Sequence, residues 1–266
     1  MTESRLDAAV AALGLARSRT HAAKLIADGA VTVDGTAVLK VATKVTDTQV
    51  IAVSASDHYV SRAAHKLIAA LDAFDITVAG RFVLDVGAST GGFSQVLLER
   101  GATQVIAADV GHGQLAPLVA EDPRVVSVEG LNVRYLTAAA LAEATGVEEV
   151  PSLVVGDLSF ISLTMVLPAL VGSAAPDADL VLLIKPQFEV GRTRIKEGIV
   201  HDADRREDAI TGVLWAAWDC GLGTAGIMPS PMLGSHGNHE YLVWLSASAG
   251  THPTEWLRQI RTMVGV

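Results

Sequence analysis

The spacing of apolar positions divides the chain into two stretches of different character. At the start, Leu6, Ala9, Val10 and Leu13 recur at helical spacing and Gly14 supplies a stop. A second helical pattern begins near Ser18, a good N-cap, runs through Ala22, Ala23, Leu25 and Ile26, and ends at Asp28-Gly29. The period then shortens to that of strands at 31–33 and 50–54, with Asp34-Gly35 as a hairpin turn between them. These patterns predict a small α+β module over residues 1–57, a linker over 58–62 and a larger domain over 63–266. Ser61 is placed to cap a helix carrying Leu67, Leu71 and Phe74 on one face, with Lys66 about 100° from that stripe. From 83 onward short aliphatic runs alternate with helical segments, at 83–86, 105–109, 125–128, 153–157, 180–185, 223–228 and 241–246. Alternation of this kind predicts an α/β doubly wound, seven-stranded sheet. No helical pattern separates the last two runs, so an antiparallel hairpin is expected at the sheet edge.

Composition and charge change this picture only locally. Of 266 residues 50% are apolar, ample for a core, and the net charge of -9 argues against broad adhesion to nucleic acid. Up to residue 56, however, six basic residues stand against five acidic ones, which leaves 14 against 24 for the remainder of the chain's 20 and 29. Arg17 and Arg19 flank the start of the second helix, where side chains and free N–H groups can grip phosphates; a solvated basic face is the alternative. The single Cys220 excludes an internal disulfide framework, and with no export signal a cytoplasmic protein is expected. The uncharged stretch 158–176 is interrupted by Ser159, Ser162, Thr164, Pro168, Gly172 and Ser173, so it predicts strand end, loop and buried helix rather than a membrane span.

Candidate chemistry concentrates where the apolar runs end. The segment 83–93, VLDVGASTGGF, reads strand, glycine loop, helix, and its glycines let the backbone approach a nucleotide-like ligand at a helix start. A second run closes on Asp109, where dinucleotide-binding folds keep the carboxylate that holds ribose hydroxyls. Ligands of open α/β sheets lie beyond the carboxyl ends of the strands, which singles out Asp85, Asp109, Asp157 and Lys185. Glu240, just before the last run, joins them only if that strand is antiparallel to its neighbour. With Lys66 the set contains Lys, Asp, Lys and Glu, and lysines held among carboxylates can orient or deprotonate a weakly acidic hydroxyl. Singly, each is as well explained by a solvated or salt-bridged strand end. His236 and His239 lack a third ligand or a cysteine nearby, so no metal is expected. Trp215 and Trp218, at helical spacing, suggest helix packing.

Two resemblances sharpen these expectations. The opening stretch LDAAVAALGLARSRTHAAKLIADGAVTVDGTAVLK resembles the S4 RNA-binding domain, with Val41 where that family commonly has proline. The motifs DVGASTGGFS, ADVGHGQL, GDLSFISL, KPQFEVG and GNHEYLVWL occur in the order of the TlyA family of ribosomal RNA cytidine 2′-O-methyltransferases, which join an S4 domain to an FtsJ-like methyltransferase domain. The resemblance implies a class I methyltransferase fold and a catalytic tetrad at Lys66, Asp157, Lys185 and Glu240. It implies an S-adenosylmethionine site at Asp85, Gly87, Ala88, Ser89, Thr90, Gly91, Gly92, Phe93 and Asp109, with Asn132 on the adenine side. Ribosomal RNA, free or in subunits, is the implied partner. Arg5, Arg17, Arg19 and Lys40 would hold it from the S4 side, Arg62 and Arg134 would extend the track, and Phe160 would stack on an extruded base unless it packs in the core. One departure is GIVHD at 198–202, in a flanking loop.

Three other classes stand beside that expectation. A base amino-methyltransferase would show Asn or Asp followed by Pro-Pro and an aromatic, where this chain has Asp157-Leu158-Ser159-Phe160. A non-catalytic RNA-binding relic of the fold would not bind cofactor. A membrane-active haemolysin, the family's other label, is opposed by interrupted apolar stretches and the lack of a basic amphipathic helix. Oligomeric state is not legible.

Overall fold

The computed structural model describes residues 3–16, 18–27, 29–53, 58–191, 198–234 and 237–266. It separates into two compact units, Met1–Tyr59 and Val60–Val266.

In the small unit, strand β1 (Glu3–Arg5) leads into helix α1 (Leu6–Ala12), followed by α2 (Arg19–Ala27), β2 (Val31–Val33), β3 (Thr36–Ala37), β4 (Lys44–Thr46) and β5 (Ile51–Val53). The Ser18 hydroxyl accepts the His21 N–H at 3.1 Å, as an N-cap should. Asp34 and Gly35, both at positive φ, turn β2 into β3, and the Asp34 carboxylate accepts the N–H of Val50 and the side-chain amide of Gln49 at 2.9 Å each. Strands β3, β2 and β5 form one sheet, and β1 pairs antiparallel with β4. That second pairing was not expected, because three-residue strands carry no readable period. Leu6, Val10, Ala22, Ile26 and Val31 are fully buried between these elements.

The large unit opens with α3 (Ala64–Ala73) and continues β6 (Phe82–Val86), α4 (Gly92–Glu99), β7 (Gln104–Asp109), α5 (Pro117–Ala120), β8 (Val125–Glu129), α6 (Ala138–Thr145), β9 (Leu153–Gly156), α7 (Leu163–Gly172), β10 (Asp179–Ile184), α8 (Pro186–Glu189), α9 (Ala203–Asp219), β11 (Gly223–Pro229), β12 (Tyr241–Ser246) and α10 (Leu257–Val264). The strands lie in the order β11-β12-β10-β9-β6-β7-β8. All neighbours are parallel except β12, which is antiparallel to both β10 and β11. The expected hairpin is present at that end of the sheet, but its antiparallel strand is tucked one place inward and β11 is outermost. Continuous aliphatic runs such as those of β6, β9 and β10 bury both faces, as a helix-covered parallel sheet requires.

The chain leaves β6 toward β7 and β8, then crosses back to β9 and β10. The strand order therefore reverses between β6 and β9, and the crevice beyond their carboxyl ends is where open α/β sheets bind ligands. The uncharged stretch forms the loop after β9 and then α7, where the Ser162 hydroxyl accepts the Thr164 N–H at 3.1 Å. No described helix is long and apolar enough to cross a membrane. Ser61 does not cap α3 as expected. Helix α3 begins at Ala64, and the Ser61 hydroxyl and carbonyl accept the N–H groups of Ala63 and Ala64 in the preceding turn.

Candidate active site

The glycine loop bends back over the end of β9 because two of its glycines allow it. Gly87 sits at φ +79°, and a Cβ there would stand 3.1 Å from the Asp157 carbonyl oxygen; Gly91, at φ +93°, would place one 2.9 Å from Leu115. Asp109 closes β7 beside this loop and accepts the N–H of Ser89 at 2.9 Å and of Gly111 at 2.7 Å. Together Gly87, Ser89, Asp109, Asn132, Leu158 and Phe160 help line a cleft of about 520 Å³. An adjoining cleft of about 250 Å³ is lined by Ala88, Thr90, Gly92 and Phe93 with Arg62, and Gly87, Ser89, Asp157 and Ser159 border both. Asn132 also accepts the Arg134 N–H at 3.1 Å and caps the short turn that follows.

Two members of the expected cofactor set line neither cleft. Gly91 serves the turn. Asp85 is wholly buried under α4, where it accepts the Ser94 hydroxyl at 2.6 Å and its other oxygen has no protein partner. Burial pushes its carboxyl up to about 7, against the opposing hydrogen bond from Ser94. A residue within a strand buried on both faces points into the core even when its neighbour in sequence opens the ligand loop.

The four residues Lys66, Asp157, Lys185 and Glu240 meet in the smaller cleft. Lys66 comes from the first turn of α3, Asp157 follows β9, and Lys185 follows β10. Register does the rest: Ile184 pairs with Tyr241, so antiparallel β12 sets Glu240 beside Lys185. Lys66 Nζ donates to Glu240 Oε2 at 2.8 Å and to Asp157 Oδ2 at 3.3 Å, while Lys185 Nζ stands 2.6 Å from Asp157 Oδ1. The side chains are between 3% and 15% exposed, so the charges are held by one another rather than by water. Burial alone would raise the Asp157 carboxyl, but the pull of Lys185 and then Lys66 is stronger and holds it below its usual range. Sequence reasoning missed Ser159, whose hydroxyl accepts from Lys185 Nζ at 2.8 Å. It also missed Gly234, where any Cβ would collide with the Glu240 carboxylate. Neither position carries a signal beyond lying in a polar loop.

Phe160, immediately beyond, is not a core residue. It is 92% exposed at φ +66°, with its ring centroid 5.2 Å from that of Phe188. The basic residues of each unit have different surroundings. Arg62 is half-buried at the smaller cleft, and exposed Arg134 lies over the ring of Tyr135 at 5.6 Å. In the small unit Lys40 is exposed, but Arg5 and Arg19 are partly engaged, at 3.0 and 2.8 Å from the buried Asp7. Their hydrogen bonds, Arg5 first, lower the Asp7 carboxyl to about 2. Arg17 and His236 lie outside the described residues. Among the described residues no three His, Cys, Asp or Glu side chains gather as a metal site. Trp215 and Trp218 pack edge-on against His252 at 5.1 and 4.6 Å.

Comparison with known proteins agrees with this architecture. Residues 59–247 match the model of the FtsJ-like methyltransferases and residues 4–51 that of the S4 domain. A relative from Mycobacterium tuberculosis, named 16S/23S rRNA (cytidine-2′-O)-methyltransferase TlyA, is 51% identical over 91% of this chain and 89% of its own length. Hemolysin A of Brachyspira hyodysenteriae is 40% identical over 90% of this chain and 98% of its own. A solved structure from Streptococcus thermophilus, labelled a haemolysin, shares 34% identity with a TM-score of 0.73, covering 99% of this chain and 97% of that one. The motifs, the sheet order and these matches agree: the chain belongs to the FtsJ-like methyltransferases, in the S4-containing TlyA family.

Proposed function

We propose that this chain transfers a methyl group from S-adenosylmethionine to the ribose 2′-hydroxyl of a cytidine in ribosomal RNA, and that Lys66, Asp157, Lys185 and Glu240 carry the reaction. One observation supports this above others: two lysines and two carboxylates from four separate elements converge in a cleft that shares a wall with the glycine-loop cleft. The residues present suit the cofactor. Gly87 leaves a cradle that a Cβ would fill, and Asp109 and Asn132 offer a carboxylate and an amide to hydroxyl and adenine groups. The loop from Gly87 to Phe93, with Asp109 and Asn132, would hold it, and when bound it supplies an electrophilic methyl.

The remaining chemistry belongs to the side chains. Lys66 and Lys185 point into one small space, where one lysine, as the free amine, would take the proton of a ribose hydroxyl while the other, as the ammonium, orients it and stabilises the oxygen left behind. Asp157 touches both lysines and fixes their separation; Glu240 anchors Lys66 from the other side. Exposed Phe160, at the rim of the larger cleft, is available to stack on a base swung out of its helix. Arg5, Arg17, Arg19 and Lys40 would hold RNA on the S4 domain, with Arg62 at the smaller cleft and Arg134 extending the track on the methyltransferase domain. A ribosomal substrate places the work in the cytoplasm.

The test is transfer of tritiated methyl from S-adenosylmethionine to purified 30S and 50S subunits lacking such marks, with wild type beside Lys66→Ala. Label on a cytidine 2′-oxygen that vanishes in the variant is the expected result, and the labelled particle names the target. Cofactor binding without transfer to either particle would overturn the acceptor.

A further inference from the structure

The motifs DLSFISL and KPQFE, far apart in sequence, form two halves of one fastening. Lys185 holds Asp157 and Ser159, at 2.6 and 2.8 Å. Phe188 packs its ring against that of Phe160, with centroids 5.2 Å apart. Glu189 accepts the Leu163 N–H at 2.9 Å on one oxygen and the Ser162 hydroxyl at 2.5 Å on the other. The spacing i, i+3, i+4 puts all three on one side of a helical turn. Each tie therefore falls further along the loop that leaves β9.

Phe160 needs such a fastening. A bulky side chain at φ +66° is held in a conformation that L-residues disfavour, and its exposed ring contributes little packing of its own. The loop has to be fixed from both ends. Lys185 does this before Phe160, and Glu189 does it after.

We propose that Glu189 is a positioning residue for methyl transfer: by clamping Ser162 and Leu163 it fixes the loop that presents Phe160 to the nucleotide being modified. The proposal rests on the function proposed above, since it assumes that Phe160 meets a base. Glu189 lines neither cleft, so its influence passes through the loop. Glutamine keeps an acceptor for Leu163 and offers Ser162 a donor, so it preserves the clamp; alanine removes both bonds.

Two measurements on the full chain test this. Amide exchange of the segment 158–165, read without substrate, should quicken in Glu189→Ala and stay near wild type in Glu189→Gln, and unchanged exchange in E189A overturns the clamp. Methyl transfer to unmodified ribosomal subunits should then fall about tenfold in kcat/KM for both F160A and E189A, with E189A/F160A no worse than F160A and E189Q within about threefold of wild type. Additive losses in the double variant, or E189Q as poor as E189A, would show that Glu189 acts by another route and overturn the proposal. If wild type transfers no methyl, the proposed function fails and the link to Phe160 fails with it, while exchange still decides whether the clamp exists.

Discussion

Lys66 and Glu240, 174 positions apart in the chain, form a 2.8 Å ion pair in which neither side chain is more than 8% exposed. Removing one partner strands the other charge in a dry site. Glu240→Ala should therefore lower stability by about 3 kcal/mol, near the low end for a broken buried pair because Asp157 still touches Lys66. Denaturant titration checks this, and the double variant Lys66→Met/Glu240→Leu should recover most of the loss while remaining inactive.

Gly87 joins two constraints, a left-handed backbone and too little room for a Cβ, which would stand 3.1 Å from the Asp157 carbonyl oxygen. Gly87→Ala is expected to keep the fold yet weaken S-adenosylmethionine binding by about tenfold or more, as strain at the loop and a shifted Asp157 narrow the cleft. Calorimetric titration gives the answer directly; unchanged affinity would remove Gly87 from the cofactor site.

Asp85 makes stability depend on pH. Its folded value, about 7, lies above its ordinary one because burial disfavours the charge. The folded state therefore binds the proton more tightly, and this contribution is complete below about pH 4 and lost as pH rises through 7. Within that window each pH unit removes about 1.4 kcal/mol. Melting curves from pH 5.5 to 8.5 should show wild type declining relative to Asp85→Asn, which has no proton to lose. Parallel curves would contradict the assignment.

Charge in the small unit has to be altered with Asp7 in mind. Replacing Arg19 by glutamate would set a carboxylate against the one that Arg19 now holds at 2.8 Å, mixing lost RNA affinity with lost stability. Arg19→Gln with Lys40→Gln avoids the clash. Binding to ribosomal RNA should weaken and the slope of log affinity against log salt should shrink by about one unit per charge removed. An unchanged slope would place RNA elsewhere.

Much of the large unit was legible because its chemistry sits where the apolar period breaks. Asp157 and Lys185 end their strands, and the loop 87–93 announces itself by its glycines. Glu240 could be assigned to the cleft only on condition that β12 runs antiparallel, which the resemblance favoured and the register with β10 provides. What was not legible depends on depth and distance. Nothing in a single sequence tells that Asp85 is buried under α4 while Asp109 lines the cleft, or that the phenylalanine between Ser159 and Ile161 stands 92% exposed. Nor could composition show that Arg5 and Arg19 share one buried aspartate.

The inward place of β12 makes competence a property of the finished chain. Every residue lining the larger cleft has been made once position 161 is reached, whereas Glu240 follows 79 positions later and is seated only when β12 slides between two strands already made. A partly synthesised copy could thus hold cofactor before it could use it, and the last inter-strand pairing to form would double as the step that arms the enzyme.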